Sequence, residues 1–210
     1  MPGLGVTYGR GGASTNLMDL QNADCILIQG SNMAEAHPVG FRHPMIAREK
    51  GAKLIHVDPR FTRTSAMCDI YAPIRAGTDI AFLGGLINYV IENEKYFEEY
   101  VVNYTNAATL ITEDFEDVGE MGLFSGWNEE TQTYDVASWR YEGDPIDYSP
   151  VGGSQGRIVG EETGGASDTD QSQRPTDETL QHERCVFQIL KRHFAKYTPE
   201  MVEKVTGCPK

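Results

Sequence analysis

The chain has 210 residues, a length that suits one α/β domain or one domain with an appendage. A hydrophobic share of 40% and a charged share of 23% exclude a wholly disordered chain, a collagen and a disulfide miniprotein. The 31 acidic against 18 basic residues give a net charge of −13, a surface that repels phosphate backbones and anionic lipid, so no nucleic-acid partner is expected.

In chain order, a helix-compatible stretch over 16–23 leads into Asp24-Cys25-Ile26-Leu27-Ile28-Gln29-Gly30, a short apolar run closed by glycine that reads as a buried strand. After the polar turn Ser31-Asn32, a helix is predicted over 33–50, distorted or split by Pro38 and Pro44 and stopped by Gly51. A second buried strand spans 52–59, and Ile70-Tyr71-Ala72-Pro73-Ile74 is a shorter extended piece. Gly77-Thr78-Asp79 opens a helix to about residue 93, with Ile80, Leu83, Leu86, Ile87, Val90 and Ile91 at helical spacing. Apolar strands alternating with helices predict a Rossmann-like parallel sheet with helices on both faces.

Beyond Tyr104 the pattern weakens. An irregular acidic insertion is expected over 111–180, with Trp127, Tyr134, Trp139 and Tyr141 able to anchor it to a core. Its glycine-rich part, 151–173, has no preceding apolar strand and no following Gly-Lys-Ser/Thr, and so reads as a flexible loop rather than a phosphate loop. C-terminal helices are expected over 183–196 and from Thr198-Pro199-Glu200 to Gly207, with threonine as N-cap and proline at N1. The domain reading is an α/β core over 1–110, the insertion over 111–180, and C-terminal helices over 181–210 that belong to the core domain.

The longest apolar stretch, Ala81 to Ile91, is far short of the roughly 20 residues of a bilayer span. Met1-Pro2-Gly3-Leu4-Gly5 lacks the basic start and apolar run of a secretory signal. Cys25, Cys68, Cys185 and Cys208 form no Cys-x-x-Cys pair, and Cys25, inside an apolar run, is expected to be a small buried hydrophobe. His182 and Cys185 share a helical face, but two ligands do not make a site; no metal ligand is expected from this chain.

The chemistry falls at the carboxyl ends of the strands, where open parallel sheets bind ligands. Gly30-Ser31-Asn32 ends the first, with Glu35 one turn into the next helix; free amides at that helix start suit a phosphate. Asp58-Pro59-Arg60 ends the second, where an acidic residue is placed for ribose hydroxyls, and Thr62, Arg63 and Thr64 follow. The third leads to Arg75-Ala76-Gly77-Thr78-Asp79, whose carboxylate suits the N1–H and N2 amino group of guanine. Each piece has a plainer reading: Asp58-Pro59 as a turn, Thr78 as an N-cap, Asp79 as a helix-dipole partner. Together, at successive strand ends, they point to a nucleotide site, although no Gly-x-Gly-x-x-Gly fingerprint is present.

The strings Thr7-Tyr8-Gly9-Arg10-Gly11-Gly12, Glu35-Ala36-His37-Pro38-Val39, Asp58-Pro59-Arg60-Phe61-Thr62-Arg63-Thr64 and Arg75-Ala76-Gly77-Thr78-Asp79 resemble the catalytic subunit of formate dehydrogenase, a molybdenum/tungsten bis-pterin guanine dinucleotide oxidoreductase. The resemblance returns at Tyr104-Thr105-Asn106-Ala107, at 180–186 and at Tyr197-Thr198-Pro199-Glu200, and is poorest in the glycine-rich insertion. It implies that this chain is the middle α/β portion, holding the guanosine end of a molybdopterin guanine dinucleotide. The implied site is Gly30, Ser31, Asn32 and Glu35 near the diphosphate and ribose, Asp58 and Arg60 around the ribose, and Gly77, Thr78 and Asp79 around the guanine.

The resemblance also implies that molybdenum or tungsten is ligated outside this chain, by a selenocysteine or cysteine upstream of Met1, and that a [4Fe–4S] segment lies further upstream. His37 and His43 are then not the catalytic histidine, and the isolated chain is expected to be inactive. Implied partners are the remainder of the catalytic subunit, an iron–sulfur electron-transfer subunit, a cytochrome b membrane subunit, and formate as substrate. Met1 is expected to be an artefact of a gene broken at a selenocysteine codon, and the compartment stays open. The alternatives are a nitrate reductase-like member of the same superfamily and a stand-alone nucleotide-binding module without redox activity.

Overall fold

The computed structural model of the chain describes residues 12–13, 15–117, 123–135, 139–144 and 174–210. Residues 7–11 of the first family-like string and the loop expected over 151–173 lie outside the described residues. The chain divides into two compact units, one built from the chain up to Leu86 together with Tyr197–Lys210, the other from Ile87–Lys196. The compositional boundaries read from the sequence, at 110 and 180, both fall inside the second unit.

In the first unit, a 3₁₀ helix (Leu17–Asn22) precedes β1 (Cys25–Gln29), which pairs in parallel with β2 (Lys53–Val57) along its whole length. β2 in turn pairs in parallel with β3 (Ile70–Ala72), giving the sheet order β1-β2-β3. The alternation of the strands sets the core. Ile26, Ile28 and Leu54 face one side, where they bury against Phe41, Ala47 and Ala52; each such aliphatic side chain contributes about 1.5–3 kcal/mol of transfer free energy. Val57 and Ala72 face the other side and pack with Ile74 and Phe82.

That second face is covered at its carboxyl end, with Cys208 also packed there, while Leu27 and Ile70 remain 42% and 53% exposed. Cys25 lies on the same open face, so the expectation that it is buried is corrected: the strand's alternation, not the apolar run, decides which side chains are covered.

The predicted 33–50 helix is split at the first proline. α1 (Met33–Ala36) ends at His37, and α2 (Pro38–Glu49) starts with Pro38 in its first turn, where a missing amide costs nothing. Pro44 stays inside α2 and is buried. Gly51 follows α2 with its amide on the Arg48 carbonyl. A short helix that the sequence did not signal, α3 (Arg63–Met67), lies between β2 and β3. After β3 the chain turns through Arg75 into α4 (Asp79–Glu92), and the division between the units falls inside that helix.

In the second unit, α5 (Glu98–Tyr104) is a further unpredicted helix. Ile91, Ala107, Ala108, Leu180, Cys185 and Phe187 form its core. β4 (Trp127–Asn128) and β5 (Thr133–Tyr134) make a small hairpin. Trp127, Tyr134 and Trp139 meet in series with tilted rings, centroids 4.9 and 5.2 Å apart, so three of the aromatic side chains expected to anchor the insertion pack on one another. α6 (Val186–Phe194) begins three residues later than expected, because the Asp177 carboxylate accepts from the amides of Thr179, Gln181 and His182 and holds that approach as a turn.

α7 (Pro199–Thr206) belongs to the first unit, whereas α6, expected with it in the core domain, belongs to the second. The ends of α7 are those expected: Thr198 caps it through Met201 N–H, and Gly207 ends it in the left-handed conformation. Arg75 then secures the end of α7. Its amide donates to the Thr206 carbonyl, and its Nη1 to the carbonyls of Lys204 and Val205 at 2.8 and 2.9 Å. No helix of the described residues is long and apolar enough to cross a membrane.

Candidate functional site

The carboxyl ends of the three strands are tied together by side chains. At the end of β1, Gly30 takes a φ of +64°, which favours glycine, and its amide donates to the Val57 carbonyl of β2. Among the described residues, no atom beyond its chain neighbours lies within 4 Å of where a Cβ on Gly30 would stand, so this turn leaves open space. Just before it, Gln29 Nε2 donates to Asp79 Oδ1 at 2.7 Å, linking the end of β1 to the start of α4.

The turn after β1 is bound to α3. Thr64 Oγ1, fully buried, donates to Asn32 Oδ1 and accepts from Ala34 N–H, both at 3.0 Å. Asn32 Nδ2 donates to Glu35 Oε2, and Arg63 Nε lies 3.1 Å from Glu35 Oε1. The amides of Glu35 and Ala36 close on the Asn32 carbonyl. The amides of Ala34, Glu35 and Ala36, expected to be free at this helix start, are therefore taken: α1 is a single turn, and Thr64 supplies the acceptor for Ala34. Asn32 and Glu35 fasten the turn to α3, leaving Gly30 and Ser31 as its open part.

At the end of β2, His56 is fully buried between two turns, with Nδ1 2.8 Å from Ser65 Oγ and Nε2 3.2 Å from the Ser31 carbonyl. Asp58 Oδ1 accepts from Arg60 N–H at 2.8 Å, while Oδ2 stands 4.0 Å from His56 Nε2, beyond hydrogen-bond reach. The Asp58 carbonyl accepts from Tyr71 Oη at 2.9 Å, and Phe61 packs edge-on to that ring. Burial, and secondarily the Asp58 charge, push the Tyr71 phenol above its ordinary pKa, so it stays a neutral donor. Arg60 is exposed.

After β3, the Thr78 hydroxyl donates to the Arg75 carbonyl at 2.6 Å, and the Thr78 carbonyl accepts from Phe82 N–H to begin α4. Gly77, at φ +81°, completes this turn, again with no atom of the described residues beyond its chain neighbours within 4 Å of a Cβ position. Thr78 thus shapes the turn, whereas Asp79 is exposed at its rim.

The sequence-predicted residues are thus brought together in two linked groups. Gly30, Ser31, Asn32 and Glu35 join the β2 end through His56 and α3, and join Asp79 through Gln29. No described bond connects Asp58 or Arg60 to Gly77, Thr78 or Asp79. Three contributors escaped sequence reasoning: Gln29, His56 and Ser65. Their signal was polar identity inside or beside an apolar strand, at Gln29 and His56. Among the described residues no group of three or more His, Cys, Asp or Glu side chains could hold a metal ion.

Taken together, this is an α/β unit with acceptor side chains and the exposed cations Arg60, Arg63 and Arg75 at the carboxyl ends of parallel strands, where open parallel sheets present ligand groups. The family model "Molybdopterin oxidoreductase" matches residues 7–140. The chain is 46% identical over 207 residues to formate dehydrogenase subunit alpha of Megalodesulfovibrio gigas, covering 99% of this chain and 18% of that protein. It is 45% identical over 208 residues to the nitrate-inducible formate dehydrogenase major subunit of Escherichia coli K12, again covering 99% and 18%. Among solved structures, acetylene hydratase from Pelobacter acetylenicus aligns with 91% of this chain and 17% of that chain, at a TM-score of 0.47 and 21% identity. The chain belongs to the molybdopterin oxidoreductase family, and it spans about 18% of the length of the curated relatives it matches.

Proposed function

We propose that this chain is the portion of a formate dehydrogenase catalytic subunit that holds the guanosine end of a molybdopterin guanine dinucleotide. Identity of 45–46% to formate dehydrogenase subunits along nearly the whole chain supports the formate branch. The chemistry of the donor set supports the ligand. Asp79 keeps acceptor directions for a base that presents two donors, Asp58 Oδ2 is an acceptor for a ribose hydroxyl, and Arg60 is an exposed cation for the diphosphate. The open space at Gly30 suits close approach of a phosphate to the backbone.

When bound, the metal–pterin group supplies the two-electron oxidation of formate to carbon dioxide with release of one proton. The residues of this chain bind and orient. Gly30 leaves room for the diphosphate to approach the turn at Ser31, Arg60 offers it a cation, Asp58 fixes the ribose, and Gly77 and Asp79 receive the guanine. Asn32, Glu35 and Thr78 hold the turns that carry these groups. In the complete enzyme, electrons leave toward an iron–sulfur subunit and onward to a membrane cytochrome b.

The observation that carries the reading is an exposed carboxylate held at the third strand end by a residue from the first. Calorimetric titration of the 210-residue chain with GDP and ADP tests it. Saturable binding of GDP in preference to ADP is the expected result, and no binding of GDP overturns it. The chain alone is expected to reduce no dye with formate, whereas the complete subunit oxidises formate and does not reduce nitrate.

A further inference from the structure

We infer that Gln29 is a positioning residue that sets the guanine specificity of the site, an inference that rests on the guanosine reading above. Gln29 closes β1 opposite Val57, so its backbone is held by the parallel ladder, and it is half-buried. Its amide Nε2 reaches across 50 residues of sequence to donate to Asp79 Oδ1 at 2.7 Å. Asp79 is exposed at the start of α4, a place where an aspartate otherwise turns toward the amides of its own first helical turn. The Gln29 amide removes that freedom by fixing one carboxylate oxygen from outside the helix.

A carboxylate has about four lone-pair directions, so after accepting from Gln29 both oxygens of the exposed Asp79 retain acceptor capacity. Two parallel acceptors match a base edge with two parallel donors. Guanine has such an edge in N1–H and its 2-amino group; hypoxanthine has only the first, and adenine presents an acceptor at N1. Orientation is settled on folding rather than on binding, which favours the base able to use both oxygens at once. The amide is the group this requires. A carboxylate at position 29 would repel Asp79 or share a proton with it, and an aliphatic side chain would leave it free to rotate.

The test compares GDP, IDP and ADP binding to the wild-type chain and to the variants Gln29→Met and Gln29→Glu, each checked for unchanged circular dichroism and melting. A charge-assisted hydrogen bond to the 2-amino group predicts a GDP-over-IDP preference of roughly tenfold in the wild type. Gln29→Met is expected to reduce that ratio below about threefold while ADP binding stays unchanged, since orientation alone is lost. Gln29→Glu, nearly isosteric, is expected to weaken GDP more than IDP. Retention of the wild-type ratio in both variants overturns the inference and leaves the guanosine reading standing. Equal wild-type affinity for GDP and IDP also overturns it. Absence of GDP binding by the wild-type chain overturns the guanosine reading, and the inference with it.

Discussion

The Nδ1 atom of His56 lies 2.8 Å from Ser65 Oγ, which also accepts from Thr62 N–H at 2.8 Å. At the other edge of the ring, Nε2 lies 3.2 Å from the Ser31 carbonyl, an acceptor only, so Nε2–H is the donor there. One buried side chain thereby spaces the turn after β1 from the turn after β2.

Replacing Ser65 with alanine leaves both His56 Nδ1 and Thr62 N–H without their partner in a site shielded from water. Each unsatisfied group costs about 1–3 kcal/mol, and a loss of about 2 kcal/mol or more is expected in urea unfolding of Ser65→Ala. A change below about 0.5 kcal/mol would show that the network contributes nothing to stability.

Asp79→Ala is expected to lower GDP affinity roughly tenfold or more, the cost of losing hydrogen bonds to a charged group, with ADP affinity unchanged. Asp79→Asn is expected to be poor as well, since an amide turns one acceptor into a donor that faces a donor. Calorimetry on both variants decides the matter, and wild-type GDP affinity in both would reduce Asp79 to a helix-start residue.

Arg75→Met keeps most of the side-chain length and removes the two bonds to the carbonyls of Lys204 and Val205. Because the side chain is exposed, the cost is expected to be about 1 kcal/mol. Amide exchange at 203–207 is the readout: these amides should lose protection first, and uniform protection in the variant would contradict the assignment.

Asp177 responds to acid. Its carboxylate is held at a pKa of about 2, first by the Thr179 hydroxyl and then by the amides of His182, Thr179 and Gln181. Since the folded value is below the ordinary 3.8, its stabilising contribution is complete above that ordinary value and fades as pH falls toward 2. NMR titration is expected to show the amides of Thr179, Gln181 and His182 shifting together in that window in the wild type, and no such step in Asp177→Asn. Independent midpoints for the three amides would refute a shared carboxylate.

The strands and the long helices were legible because burial left a pattern in sequence: apolar runs for β1 and β2, helical spacing for α4, and Thr198-Pro199 for α7. α3 was not, for a physical reason. Arg63-Thr64-Ser65-Ala66-Met67 has neither length nor an apolar stripe, and its two central side chains are buried through bonds to Asn32 and His56, which no local pattern encodes. The candidate site was legible at the level of strand ends, since Asp58 and Asp79 stand where parallel sheets present ligand groups. The division of labour among its residues was not. Asn32 and Glu35 look identical in sequence whether they face a ligand or one another, and the partner of Gln29 is 50 residues away.

The first unit is assembled from two separated parts of the chain, and this bears on how it is made. Arg75 meets its helix-end partner Lys204 across 129 residues of sequence. During synthesis the turn carrying Gly77 and Asp79 therefore leaves the ribosome long before α7 exists to receive Arg75. At usual rates of translation the intervening stretch takes on the order of ten seconds, far longer than local helices and turns need to form. In that interval Val57, Ala72, Ile74 and Phe82 wait without Cys208, the last member of their cluster. The turn after β3 is thus the last of the three to be fastened, and a nascent chain halted before residue 199 would carry it without the contacts that Arg75 makes to α7.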